Sequence, residues 1–260
     1  MQLNPLDVPL SRFGSYLCVT STWDHRRPLD EQSGWHVRWL RDAPNTYVFR
    51  IELIDGEGRV ASPRAAEGEP GRLTLRSDTG TACDMTLADD DTLRVRVRGG
   101  GLRLITVAGA YCSGSKLAED FWEVTPSGKH PRFGVRGRRG TLRGEARWDH
   151  SGKAAACKSV TVDLLPDADG QADASVHVYL DVCLAAEDAR PFDTIVESID
   201  AEFARWYAAF APPRDAALRD AHALAAYVLW VSTVAPYGLY PSPVVWGSKN
   251  WMTRVWSWDH

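Results

Sequence analysis

From the start of the chain to about Leu184, apolar residues alternate with polar ones, the period at which a half-buried strand turns its side chains to opposite faces. The alternation is clearest at residues 35–39, 47–53, 73–75, 93–97, 102–107, 160–162 and 176–180, and turn residues separate these runs at short intervals. Gly99-Gly100-Gly101 stands between two of them. Glycine takes the positive φ angles that a tight reversal needs, so the triplet predicts a hairpin. Many short strands with no amphipathic helix between them predict a large antiparallel β-sandwich of two sheets.

After Ala189-Arg190-Pro191 the period changes. Ile195, Ile199, Phe203, Trp206 and Phe210 fall on one stripe of a helix, Asp193 is placed to cap its start, and Pro212-Pro213 ends it. A second helix is predicted over residues 215–234. Its stretch 224–231 is apolar on every side, as in a helix buried among others. One amphipathic helix does not cover it on all faces, so further cover is expected from chain beyond residue 260 or from another subunit. The stretch is too short to span a bilayer.

The closing segment, residues 236–260, gathers Tyr237, Tyr240, Trp246, Trp251, Trp256 and Trp258 among glycines and prolines, with Lys249, Arg254 and Asp259 interleaved. Flat rings stack on the C–H faces of sugars while charges grip hydroxyls, so this composition fits a carbohydrate site. It fits a domain interface equally well.

The formal net charge of -4 over 260 residues offers no basic surface for nucleic acid or an anionic membrane, and favours a neutral or weakly charged ligand. Eleven Trp is a heavy load, suited to core packing and to stacking on sugar rings. The start Met1-Gln2-Leu3-Asn4-Pro5-Leu6-Asp7 has neither the basic nor the apolar region of a secretory signal, and a cytoplasmic protein is expected. Cys18, Cys83, Cys112, Cys157 and Cys183 form an odd, scattered set without a C-x-x-C pair. They read as small buried apolar side chains rather than a disulfide framework or a zinc site. Nothing asks for a metal, nucleotide or redox cofactor, and no pattern fixes an oligomeric state.

Several smaller constellations have plain readings. Trp-Asp-His recurs at residues 23–25, 148–150 and 258–260 with unmatched flanks and no fixed period, so it reads as coincidence in a Trp-rich chain. Residues 109–116, Gly-Ala-Tyr-Cys-Ser-Gly-Ser-Lys, place serine before the lysine where a phosphate loop needs glycine. The run Arg136-Gly137-Arg138-Arg139-Gly140 and Asp89-Asp90-Asp91 read as a solvated strand end and an exposed turn. His222 reads as a core histidine.

Ser248-Lys249-Asn250-Trp251-Met252-Thr253-Arg254-Val255-Trp256-Ser257-Trp258-Asp259-His260 resembles the motif that opens the catalytic barrel of bacterial enzymes in glycoside hydrolase family 63, among them mannosylglycerate and glucosylglycerate hydrolases. Residues 9–17, Pro-Leu-Ser-Arg-Phe-Gly-Ser-Tyr-Leu, are similar to the beginning of several such proteins. The resemblance implies an N-terminal β-sandwich domain over residues 1–190, a linker with first helices over 191–235, and the start of an (α/α)6 barrel over 236–260. It implies an inverting hydrolase of a small α-glucoside or α-mannoside, in which one carboxylic acid and one carboxylate base face each other across the glycosidic bond. By the same match Asp259 binds sugar hydroxyls, Trp256 and Trp258 form the pocket wall, and Trp251 joins its rim. The acid and base of that family lie on later loops, so no residue of this chain matches either. Two other readings stand beside this one: a non-catalytic carbohydrate-binding sandwich, and a barrel with a glucoamylase-like or debranching substrate. If the chain is made alone, its apolar helix and aromatic tail are expected to promote aggregation.

Overall fold

The computed structural model describes residues 1–21, 34–41, 47–107, 112–127, 131–150, 156–179, 188–238 and 240–249. Two antiparallel sheets dominate it. The smaller contains β1 (Leu17–Ser21), β2 (Trp35–Trp39), β3 (Tyr47–Ile54), β9 (Gly101–Thr106), β14 (Ala156–Leu165) and β13 (Thr141–Asp149), paired in that order, with β4 (Val60–Ala61) added to β3. The larger runs β10 (Ser113–Ala118), β11 (Phe121–Thr125), β12 (Arg132–Arg139), β15 (Gln171–Tyr179), β8 (Thr92–Arg98), β7 (Ala82–Leu87), β6 (Arg72–Ser77) and β5 (Pro63–Glu69). The predicted sandwich is present. Its inner faces share one apolar cluster, in which Phe49 of β3 meets Phe133 of β12 edge to face at 5.6 Å.

The glycine triplet is not a hairpin. β8 belongs to the larger sheet and β9 to the smaller, so Gly99-Gly100 carries the chain from one sheet to the other. Gly99 has φ +72°, and a Cβ on Gly100 would lie 2.2 Å from the Ile54 carbonyl oxygen and 2.3 Å from Thr81 Oγ1. A crossing this tight admits only hydrogen at that position. Two alternating runs joined by glycines look alike in sequence whether they pair with each other or part.

β8 shows what alternation means when both faces are covered. Leu93, Val95 and Val97 enter the sandwich core, and Arg94, Arg96 and Arg98 occupy the other face. Arg94 is buried and donates to the carbonyl oxygens of Asp188 and Arg190, each at 3.3 Å, and to Asp173 at 2.9 Å. Arg96 grips both carboxylate oxygens of Asp193 at 2.8 and 2.6 Å and lies 4.4 Å from the centre of the Phe192 ring. Arg98 pairs with buried Asp84 at 2.8 Å. These contacts lay the linker against the outer face of the larger sheet.

Helix α1 (Phe192–Tyr207) follows there, burying Phe192, Ile195, Val196, Ile199 and Phe203. Asp193 does not cap it: Pro191 holds that position without a side-chain cap, and Asp193 in the first turn turns to Arg96 instead. Phe210 lies beyond the helix end, where its ring still touches Trp206 at 5.4 Å. Asp215 caps a short 3-10 turn, accepting from the Ala217 N–H at 2.9 Å, and α2 (Arg219–Ser232) continues from it.

The apolar side of α2 is covered in part from within the chain. Tyr227 and Trp230 pack edge to face on Phe203, each at 5.6 Å, and Tyr227 donates to the Pro9 carbonyl at 3.1 Å. Leu3 and Ala88 complete this second cluster. Leu224 and Leu229, on the other side, remain 42% and 40% exposed, so α2 is not enclosed all round. His222 is half-buried and reaches the Tyr207 hydroxyl at 3.1 Å.

The arginine and aspartate runs are less free than the sequence implies. Arg139 meets Asp167 and Asp169 at 2.5 and 2.6 Å, and Arg138 donates to the Asp188 carbonyl. Asp91, half-buried, carries a carboxyl pushed up to about 6 by burial, with Asp89 and Asp90 adding to the shift. Cys18, Cys83 and Cys112 are buried and Cys157 half-buried, all free; Cys183 and two of the three Trp-Asp-His copies lie outside the described residues. No helix among the described residues is long and apolar enough to cross a membrane.

Candidate functional site

The segment that follows α2 leaves it through Thr233-Val234 (β16), which pairs with Val244-Val245 (β17). β16 also meets the N-terminal arm: Gly14 N–H donates to the Thr233 carbonyl at 3.0 Å and Ala235 N–H to the Gly14 carbonyl at 2.9 Å. Gly14 has φ +87°, the backbone conformation that lets the arm turn into β1 at this point. One end of the smaller sheet, the arm and the post-helical hairpin therefore converge.

Aromatic rings fill the convergence. Tyr16 touches Trp39 at 6.1 Å, Tyr237 at 6.1 Å and Trp246 at 5.6 Å, the last two edge to face. Its hydroxyl donates to the Ala235 carbonyl at 2.7 Å. Arg41 lies 3.7 Å from the centre of the Tyr237 ring, a cation–π contact at the rim of the cluster. The indole N–H groups of Trp39 and Trp246 are buried and meet no acceptor among the described residues. Tyr237 is 37% exposed, whereas Trp246 is buried.

Lys249 lies at the centre of this junction. Its position amid aromatic residues predicts a charge reaching for ligand hydroxyls, but the side chain is fully buried. Nζ donates to Ser11 Oγ at 3.0 Å and to the carbonyl oxygens of Ser15, Arg12 and Thr233 at 2.5, 3.3 and 3.5 Å. All four acceptors are neutral. Burial pushes the ammonium down to about 7, against the weaker upward pull of Cys18 and Asp90. The Lys249 carbonyl accepts from Arg38 Nη1 at 2.8 Å, and Arg38 is itself buried in β2 with its guanidinium 4.9 Å from the Tyr47 ring centre. The ammonium is thus spent on acceptors within the protein, and Lys249 ties the post-helical segment to the N-terminal arm and β2.

Trp251, Trp256, Trp258 and Asp259 lie outside the described residues, as does Arg254. Among the described residues no group of three His, Cys, Asp or Glu side chains is placed to hold a metal ion.

Among solved structures, the chain is similar to a family GH92 alpha-mannosidase from Bacteroides thetaiotaomicron in complex with mannoimidazole. The TM-score is 0.60 at 12% identity, over 90% of this chain and 39% of that one. It is also similar to a family GH92 inverting mannosidase from Bacteroides thetaiotaomicron, with a TM-score of 0.53 at 9% identity, over 92% of this chain and 39% of that one. The likeness is one of fold. Both structures are of family GH92, so they lend no support to the narrower resemblance to family 63. The chain spans about two-fifths of the length of each. No protein-family model and no curated protein matches it.

Proposed function

We propose that this chain is the N-terminal part of a cytoplasmic glycoside hydrolase, whose sandwich and linker helices lead into a catalytic (α/α)6 barrel. The observation that carries this reading is the fold shared, over nine-tenths of the chain, with two glycoside hydrolases. The aromatic, Asp-bearing segment after Lys249 adds to it. Residues 1–190 are the sandwich, 191–235 the linker and first helices, and 236–260 the opening of the barrel. The reaction is inverting hydrolysis of a small α-glycoside by a carboxylic acid and a carboxylate base supplied by later chain. The two mannosidases favour an α-mannoside over an α-glucoside as substrate. Asp259 grips sugar hydroxyls through charge-assisted hydrogen bonds, with Trp256, Trp258 and Trp251 around the ring.

The test is to express the whole reading frame and measure release of mannose and glucose from glycerate glycosides, disaccharides and maltodextrins. Mannose release with inversion at the anomeric carbon supports the reading. Glucose release from maltodextrins favours a glucoamylase-like enzyme, and sugar binding without hydrolysis favours a binding sandwich.

A further inference from the structure

The sheets end in β1 and β13 on the smaller and in β10 and β5 on the larger. An edge strand offers a row of unpaired N–H and C=O groups, and folds blunt it with bulges, prolines, inward-pointing charges or a covering segment. Three of these edges are blunted. The N-terminal arm lies along β1, where Leu10 and Val19 exchange hydrogen bonds of 3.0 and 2.9 Å, and reaches β5, where the Leu3 N–H donates to the Gly68 carbonyl at 2.8 Å. β5 also opens with Pro63 and a shift of register, and β10 is broken by a bulge between Lys116 and Ala118. β13 is different. Its 9 residues contain no proline, and where its register with β14 shifts the extra residue is Lys158 of β14. No strand among the described residues pairs with its other side. Leu142, Gly144 and Ala146 face the core, and Trp148 continues their row but is 45% exposed, so no charge points inward. Arg143, Glu145, Arg147 and Asp149 form the opposite row, the first three exposed and the last half-buried.

We propose that β13 is a dimerisation edge, through which two copies of this chain pair antiparallel about a two-fold axis at Ala146 and join their smaller sheets into one. In that register Arg143 faces Asp149 of the second copy, Glu145 faces Arg147 of the second copy, and symmetry repeats both pairs. All four charges of each strand then meet the opposite sign. A register centred on Glu145 sets Arg143 against Arg147 and Glu145 against itself, and one centred on Arg147 sets Glu145 against Asp149. Centring on Gly144 matches only Arg143 with Glu145. Charge thus selects Ala146. On the core side the same register puts the exposed Trp148 opposite Gly144 of the second copy. That position is kept free of a side chain by the Trp122 ring, from which an added Cβ would lie 2.2 Å, so one indole comes to rest beside the other. The partner is a second copy and not a peptide of other sequence because the strand complements itself.

Sedimentation velocity of the full-length protein, from nanomolar to high micromolar concentration, should show a monomer passing into a dimer. Arg147→Glu, which sets like charges opposite Glu145, should raise the dissociation constant at least about tenfold. Adding Glu145→Arg to that variant exchanges the two signs and should restore the dimer, a rescue expected of opposed pairs and not of a general change in surface charge. Hydrogen exchange on the wild type depends on no variant: the amides of residues 141–149 should exchange more slowly in concentrated than in dilute protein. A monomer at every concentration, as when later chain covers the edge, overturns the proposal. So does a dimer that leaves exchange in β13 unchanged, that Arg147→Glu does not weaken, or that the double exchange does not restore.

Discussion

Arg38 and Lys249 are joined by a 2.8 Å hydrogen bond that spans 211 residues of sequence, from Nη1 of a buried strand arginine to the main-chain oxygen of a buried lysine. Lys249 is thus held in the interior by neutral oxygens, a hydroxyl and three carbonyls, and its own carbonyl takes a bond from the buried Arg38 guanidinium. Such an arrangement costs desolvation and returns hydrogen bonds, so its worth depends on every acceptor being used.

Lys249→Ala should destabilise the protein by about 2–4 kcal/mol, because it opens a cavity and strands buried acceptors on the arm and on β16. Lys249→Met should cost less, since it fills the space and removes the charge along with its bonds. Urea denaturation of both variants checks this. Equal losses would show that the hydrogen bonds, not the packing or the charge, set the balance.

The same residue sets a pH dependence. Its folded value, about 7, lies below its ordinary 10.5, so the unfolded chain binds the extra proton between these values and stability rises with pH across that window. Below pH 7 the cost of the buried charge is present in full. His36, held down to about 4 by burial, behaves likewise at lower pH: stability falls as pH drops from 6.5 toward 4. Asp91, raised to about 6, opposes it, losing stability as pH rises from 3.8 to 6. Unfolding free energies measured from pH 7 to 10 should climb for the wild type more steeply than for Lys249→Met. Parallel profiles would contradict the shift.

Gly100→Ala should cost at least about 2 kcal/mol, because the new Cβ would sit 2.2 Å from the Ile54 carbonyl oxygen and both sheets are anchored at that point. Gly56→Ala, where a Cβ meets nothing within 4 Å, is the control and should be nearly neutral. Thermal melting of the two variants separates a general effect of glycine replacement from the crossing itself.

If the full-length protein is the proposed hydrolase, Asp259→Ala should lower its kcat/KM by an amount worth about 2–4 kcal/mol, the loss of one or two charge-assisted hydrogen bonds in the transition state. Steady-state kinetics on the best substrate measure it. An unchanged kcat/KM would remove Asp259 from the sugar site.

The strands and α1 were legible in the sequence because each buries one face, and burial writes a period into the residues. Partner choice was not. Whether β8 pairs with β9 depends on which distant strands claim them, and β15 and β3 do so through contacts about 75 and 50 residues away. Asp193 left the cap for Arg96, 97 residues earlier in the chain, by the same rule. Lys249 was misleading for a related reason: its aromatic neighbours in sequence suggest an exposed charge, whereas its ligands Ser11 and Ser15 come from the other end of the chain. In the candidate site, the junction emerges only from these long-range contacts, and the residues proposed to bind sugar rest on motif alone.

The N-terminal arm has a consequence for synthesis. Leu3 packs beneath α1 and α2, Pro9 accepts from Tyr227, Gly14 pairs with Thr233, and Ser11 and Ser15 hold Lys249. These arm residues must therefore wait for those partners until about two hundred further residues have been made. Nascent chains of this protein should consequently present a ready chaperone target in this arm, and gain full resistance to proteolysis there only as residue 249 emerges.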